Sequence, residues 1–246
     1  MQILGYFLAI LIGLSIGLIG AGGSILTVPV LNYIFQMPVS EAMPTSLLIV
    51  GMTSLLALIE HWKKGNVNLK TTLSFLLFSS LGAWIGAKAI IFFAPKLRLI
   101  IFIILMLIAG VAMLLRKESS VKLPAKQNIY LIALVGTFIG FLTGLVGIGG
   151  GFMIVPALTL LLAFPIEQAI GSSLFIIATN AFIGLSASHL KIDLPKAFYF
   201  FLCTALGTLL AKTLSPKINA QGLKKGFAIM VICLAIFMLI KEFWVF

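Results

Sequence analysis

Long apolar runs separated by short polar connections fill the chain, and they fall into two series of five. The first series covers about 2–20, 24–36, 44–62, 71–93 and 98–115; the second covers 128–146, 152–163, 171–190, 197–214 and 223–243. Most of these runs approach the roughly 20 residues a helix needs to cross a ~30 Å hydrocarbon core. No period-two alternation runs through them, so a membrane barrel is not expected and helices are. The second member of each series is short: about thirteen residues at 1.5 Å rise reach only about 20 Å. It is expected to be a half-helix, a strongly tilted span or a re-entrant piece.

The two series are related in sequence. GLIGAGGSILTVPVL at 17–31 reappears 127 positions later as GLVGIGGGFMIVPAL at 144–158, with eight of fifteen positions identical. The same offset carries Pro38 to Pro165, Ala42 to Ala169, and Thr45-Ser46-Leu47 to Ser172-Ser173-Leu174. This is an internal duplication. It divides the chain into a first transmembrane repeat (1–115), a polar linker (116–127) and a second transmembrane repeat (128–246).

Composition fixes the solvent. With 61% hydrophobic and 9% charged residues and a mean hydropathy of +1.23, the chain cannot cover a water-soluble globule, and an all-α polytopic membrane protein follows. The net charge of +11 does not point to nucleic acid, because the basic residues sit in the short connections. Counting five segments per half puts 11 of the 17 Lys and Arg on the linker's side, with the halves inverted and both termini outside. Counting each short piece with its predecessor gives a parallel repeat and a weaker split of 10 to 7. Inverted halves are therefore favoured. The N-terminus has no basic region or small-residue cleavage site before the repeat and reads as a retained helix. Cys203 and Cys233 lie in apolar segments and read as small buried hydrophobes; no metal site or cofactor is expected.

The glycine runs carry the candidate chemistry. Glycine lets a backbone leave helical geometry and lets a ligand approach, and the helix that restarts has four N–H groups without intrahelical partners. Such an end attracts anions, the more so at membrane depth. Gly20, Gly22, Gly23 and Ser24 would serve in the first repeat, and Gly147, Gly149, Gly150 and Gly151 in the second. Pro29 and Pro156 would break the following helix by removing a donor. The hydroxyls of Thr45, Ser46, Ser172 and Ser173 open the third segments, where they could cap a helix or donate to an oxyanion. Asn180, aligned with Thr53 at mid-segment, needs a partner that could be a helix or a ligand. Gly13/Gly17, Gly82/Gly86 and Gly140/Gly144 have the spacing of close helix packing. Glu60, His61 and His189 stand at the far end of the third segments, where solvation or a coupling proton would explain them; Lys88 and Lys212 read as snorkelling.

Two copies of a glycine run followed by proline, each with a downstream A-x-x-[TS]-S-L, resemble the sulfite exporter TauE/SafE family, related to toluene-sulfonate uptake permeases. The resemblance covers both halves. It implies a multi-pass permease of the plasma (inner) membrane of a bacterium or archaeon, moving sulfur-containing anions such as sulfite, sulfoacetate or taurine-like sulfonates. Ser24 departs from the pattern, standing where the second copy has Gly151. The sequence thus reads as a secondary transporter of a small anion, with its site between the repeats. With no GxxxxGK[ST] motif, coupling to a proton or sodium is expected, and the ion itself is left open. An anion channel, a non-transporting scaffold and an intramembrane serine protease using Ser24 with a histidine are the alternatives; oligomeric state is left open.

Overall fold

In a membrane, leucine gains nothing by leaving lipid for another helix, so helices associate where small residues let their backbones approach. That rule organises this chain. The computed structural model describes residues 2–20, 23–89, 92, 95–115, 129–146, 151–187, 192–214 and 220–244. Among them there is no strand. The helices are α1 (Gln2–Ile19), α2 (Gly23–Tyr33), α3 (Val39–Lys63), α4 (Leu69–Ala89), α5 (Pro95–Leu115), α6 (Ile129–Val146), α7 (Gly151–Pro156), α8 (Ile166–Ala187), α9 (Leu194–Leu214) and α10 (Ala220–Trp244). Helix α7 runs straight into a π-helical turn, Ala157–Leu161. Among the described residues, three helical stretches are long and apolar enough by themselves to cross a membrane: Pro44–Lys63, Ile166–Ile183 and Leu194–Leu214. The 116–127 linker, Gly22, Gly147, Gly149, Gly150 and His189 lie outside the described residues.

The tightest crossings join α1 to α9 and α4 to α6. Gly13 lies against the carbonyl of Thr204 and Gly207 against that of Ile10; Gly140 lies against Ser79 and Gly82 against Thr137. The close packing expected at Gly13, Gly82 and Gly140 is present, and both crossings are built alike. Each pair of helices runs parallel. Their opposite faces carry the large side chains: Leu77 and Trp84 on α4 are about 60% exposed, as a lipid-facing surface requires. Buried polar side chains are almost all hydroxyls, and many return to a carbonyl three or four residues back, as Ser79 does to Leu76 and Thr208 to Thr204.

At the centre, α3 packs against α8. Gly51 meets Ala181, the Trp62 ring lies 6.3 Å from that of Phe175, and the backbone N–H of Asn68 reaches Ser172. Rising numbers on one side meet falling numbers on the other, so α3 and α8 are antiparallel.

The short pieces are short in fact. Residues 23–33 and 151–161 each give eleven helical residues, roughly 16 Å. They also end alike. Gln36 and Ala163, 127 positions apart, both adopt positive φ (52° and 55°). Two residues beyond each stands the proline that opens the next helix, and Met37 N–H donates to Leu31 O as Phe164 N–H donates to Leu158 O.

Two expectations need correction. The third segments begin at Val39 and Ile166, not 44 and 171, because their polar first turns belong to the helix; Pro44 lies inside α3. The cysteines are not buried: Cys233 is exposed and Cys203 is partly so.

Candidate functional site

Helix α1 stops at Gly20, whose φ of +79° is a conformation glycine adopts without the penalty other residues meet. Its N–H still closes the helix onto Ile16 O at 2.8 Å. Beyond the break, α2 opens at Gly23 and Ser24, so the unpartnered N–H groups of a helix start lie close to the end of α1. Pro29, the seventh residue of α2, removes one further donor. On the other side Pro156 closes α7, and the chain widens into the π-helical turn, where Thr159 Oγ1 donates to Val155 O at 2.9 Å. Gly151 is the first residue of α7, and α2 and α7 touch.

What faces the Gly20 break comes from the opposite half. A Cβ at Gly20 would stand 2.8 Å from Ile170 Cγ2 and 2.9 Å from Ser173 Oγ. Ser173 is fully buried; its hydroxyl lies 3.4 Å from Gly20 O and 2.8 Å from Ile170 O. Ser172, also fully buried, accepts the Asn68 N–H at 3.3 Å, and Gly171 packs on Asn66. The end of α1, the α3–α4 connection and the second turn of α8 therefore meet at one place.

The hydroxyl pairs do not cap their helices. Thr45 and Ser46 are the seventh and eighth residues of α3, and Ser172 and Ser173 hold the same places in α8, about two turns inside. Thr45 is fully buried and its Oγ1 has no hydrogen-bond partner among the described residues; Ser46 is buried beside it. An unpaired buried hydroxyl costs about 1–3 kcal/mol. Asn180 stands apart, at the α8–α4 contact, where its Oδ1 accepts the Ser80 hydroxyl at 3.2 Å. Its counterpart Thr53 pairs with Thr204 of α9 at 2.8 Å. A helix neighbour thus partners the Asn180 side-chain oxygen.

Two capping residues, Asn68 and Asp193, were not singled out by sequence. Asn68 caps α4 by accepting the Thr71 N–H at 3.2 Å, and Asp193 caps α9 by accepting the Lys196 N–H at 3.1 Å. The Lys196 ammonium, 2.9 Å from Asp193, holds that carboxyl below its ordinary value. At the far end of α3, Glu60 bridges Lys64 (3.3 Å) and Lys212 of α9 (3.0 Å), so Lys212 is paired and not simply snorkelling. Lys88 lies over the Trp84 ring at 3.8 Å. A 125-residue offset, which aligns Ser79 with Thr204 and Gly82 with Gly207, would have revealed the α4 and α9 faces. No group of three His, Cys, Asp or Glu converges among the described residues.

The profile of the sulfite exporter TauE/SafE family matches residues 6–238. The chain belongs to that family. Relatives agree over nearly the same span. A probable membrane transporter protein of Xylella fastidiosa is 32% identical over 240 residues, covering 93% of this chain and 91% of its own length. One from Methanocaldococcus jannaschii is 27% identical, covering 91% and 90%, and one from Bacillus subtilis is 32% identical, covering 76% and 79%. No solved structure matches. As a member of the TauE/SafE family the chain is a membrane transporter and not an enzyme, which removes the intramembrane protease from consideration. In such a transporter, a glycine break and helix start from the first half with buried serine hydroxyls from α8 can hold a small anion through neutral donors, whereas Thr45 and Ser46 lie toward the other end of the antiparallel α3–α8 pair.

Proposed function

We propose that the protein is a secondary transporter of a sulfur oxyanion or organosulfonate in the plasma membrane, with its site where the α1–α2 break meets the second turn of α8. The supporting observation is the contact of Gly20 with Ser173 across the two halves. A small anion there would take N–H groups from the start of α2 and hydroxyls from α8, and be released when the halves move apart. Coupling is to a proton or sodium. Stabilisation of the purified protein by sulfite, thiosulfate, sulfate, taurine and sulfoacetate, against carboxylate controls, tests the substrate class. A true substrate at about 100 times its Kd stabilises by ~2.7 kcal/mol; equal, small shifts with every anion would remove the assignment.

The halves are inverted in this proposal. An odd number of segments per half turns α8 against α3, whereas four per half would make them parallel, so the antiparallel contact supports the five-segment count. Both termini then lie outside and the 116–127 linker inside. Reporter fusions at the two ends and in the linker are expected to give opposite signals; the same signal from all three would leave the parallel repeat.

A further inference from the structure

One cleft, of about 120 Å³, opens where the C-terminal ends of α3 and α9 meet α1, and it holds several times the space one water needs. Gly17 forms part of its wall, one turn before the Gly20 break on the same helix. Its rim is cationic. Lys63, Lys64 and Lys212 line it, against the single carboxylate of Glu60. The C-terminal ends of α1, α3 and α9 each bring about half a negative charge. Against the net two positive charges of the side chains, that leaves roughly half a charge in favour of an anion.

The placing of Glu60 is what carries the inference further. Its two oxygens lie 3.3 Å from Lys64 Nζ and 3.0 Å from Lys212 Nζ, one on its own helix and one on α9. That is how a small oxyanion would bridge the same two ammonium groups. As a stabilising contact the arrangement is worth little, because Lys64 and Lys212 are 41% and 59% exposed, and exposed pairs contribute about 0–1 kcal/mol. Beside it, His61 keeps a buried Nδ1 without a partner, and the Thr208 side chain also lines the wall. The Thr208 hydroxyl is already given to the carbonyls of Gly13 and Thr204, so the charge that the one carboxylate leaves over is that of the lysines: Lys64 and Lys212 share Glu60, and Lys63 lines the cleft beside them.

We propose that this cleft is the vestibule through which a small oxyanion reaches the Gly20 break, and that Glu60 is a built-in competitor holding the place the anion takes between Lys64 and Lys212. The inference rests on the proposed transport function and adds a second station to it. An arriving anion displaces the Glu60 carboxylate, and Glu60 closes behind it, so capture is kept weak enough for release.

The test is calorimetric titration of sulfite into the purified full-length protein and three variants, with a melting curve for each. Glu60→Gln, which keeps the shape and removes the charge, is expected to bind sulfite about tenfold more tightly, and Lys212→Gln and Lys64→Gln about tenfold more weakly. Melting temperatures should stay close to the parent's. If the parent binds sulfite and all three variants bind it within twofold of the parent, the vestibule is wrong while the transport function stands. If the parent binds neither sulfite nor any other of the sulfur anions named above, the substrate class proposed there falls and the vestibule with it. Should Glu60→Gln fail to fold, the exposed Lys212→Gln variant decides alone: unchanged affinity overturns the proposal and weakened affinity supports it.

Discussion

Replacing Gly13 or Gly82 by leucine should remove most of the folded protein. At both positions a Cβ would meet the main chain of the facing helix, Thr204 O for Gly13 and Thr137 O for Gly82. A flexible neighbour could turn aside, but a helix carbonyl can move only with its helix. Overpacking where side chains adjust costs about 1–3 kcal/mol; with backbone as the obstacle the cost should exceed that range. Even alanine should be harmful there. Gly226 is the control, since nothing lies within 4 Å of a Cβ built on it and it sits inside α10. Gly226→Ala should be neutral or slightly stabilising, by up to about 1 kcal/mol. The yield of monodisperse protein after detergent extraction reads all three; normal yield for Gly13→Leu would mean that α1 and α9 do not cross at Gly13.

The glycines show what the sequence could and could not disclose. Those at GxxxG spacing were legible because small residues on one helix face mean close approach whatever the partner is. Their partners were not, because Ser79 and Thr204 repeat at 125 residues while the rest of the duplication repeats at 127. The half-helices were legible from length and from the glycines before them. The starts of α3 and α8 were not: the segments were drawn as apolar runs, and the first turns, with Glu41 and Glu167, are polar although they belong to the helices. Consequently the hydroxyl pairs looked like caps when they lie about two turns deep. The contact of Gly20 with Ser173 joins residues 153 apart, and no local pattern encodes it.

The second large effect should fall on transport and leave the fold standing. Gly23 opens α2, and adding a methyl there obstructs the approach of an anion to the N–H groups while costing a helix start little. Ser173→Ala removes a buried hydroxyl whose present acceptors are carbonyls of Gly20 and Ile170, so a substrate oxyanion loses one donor. A hydrogen bond to a charged group is worth about 1.5–3 kcal/mol, which corresponds to roughly ten- to a hundredfold in affinity. Both variants should be recovered in parental yield, in contrast to Gly13→Leu.

The most direct measurement is counterflow of radiolabelled sulfite in proteoliposomes preloaded with unlabelled sulfite, for the parent, Gly23→Ala and Ser173→Ala. A carrier with its site at the α1–α2 break gives a transient accumulation of label above equilibrium in the parent, abolished by Gly23→Ala and strongly reduced by Ser173→Ala. Label that rises to equilibrium without an overshoot would mean a channel, and an overshoot unchanged in both variants would place the site elsewhere.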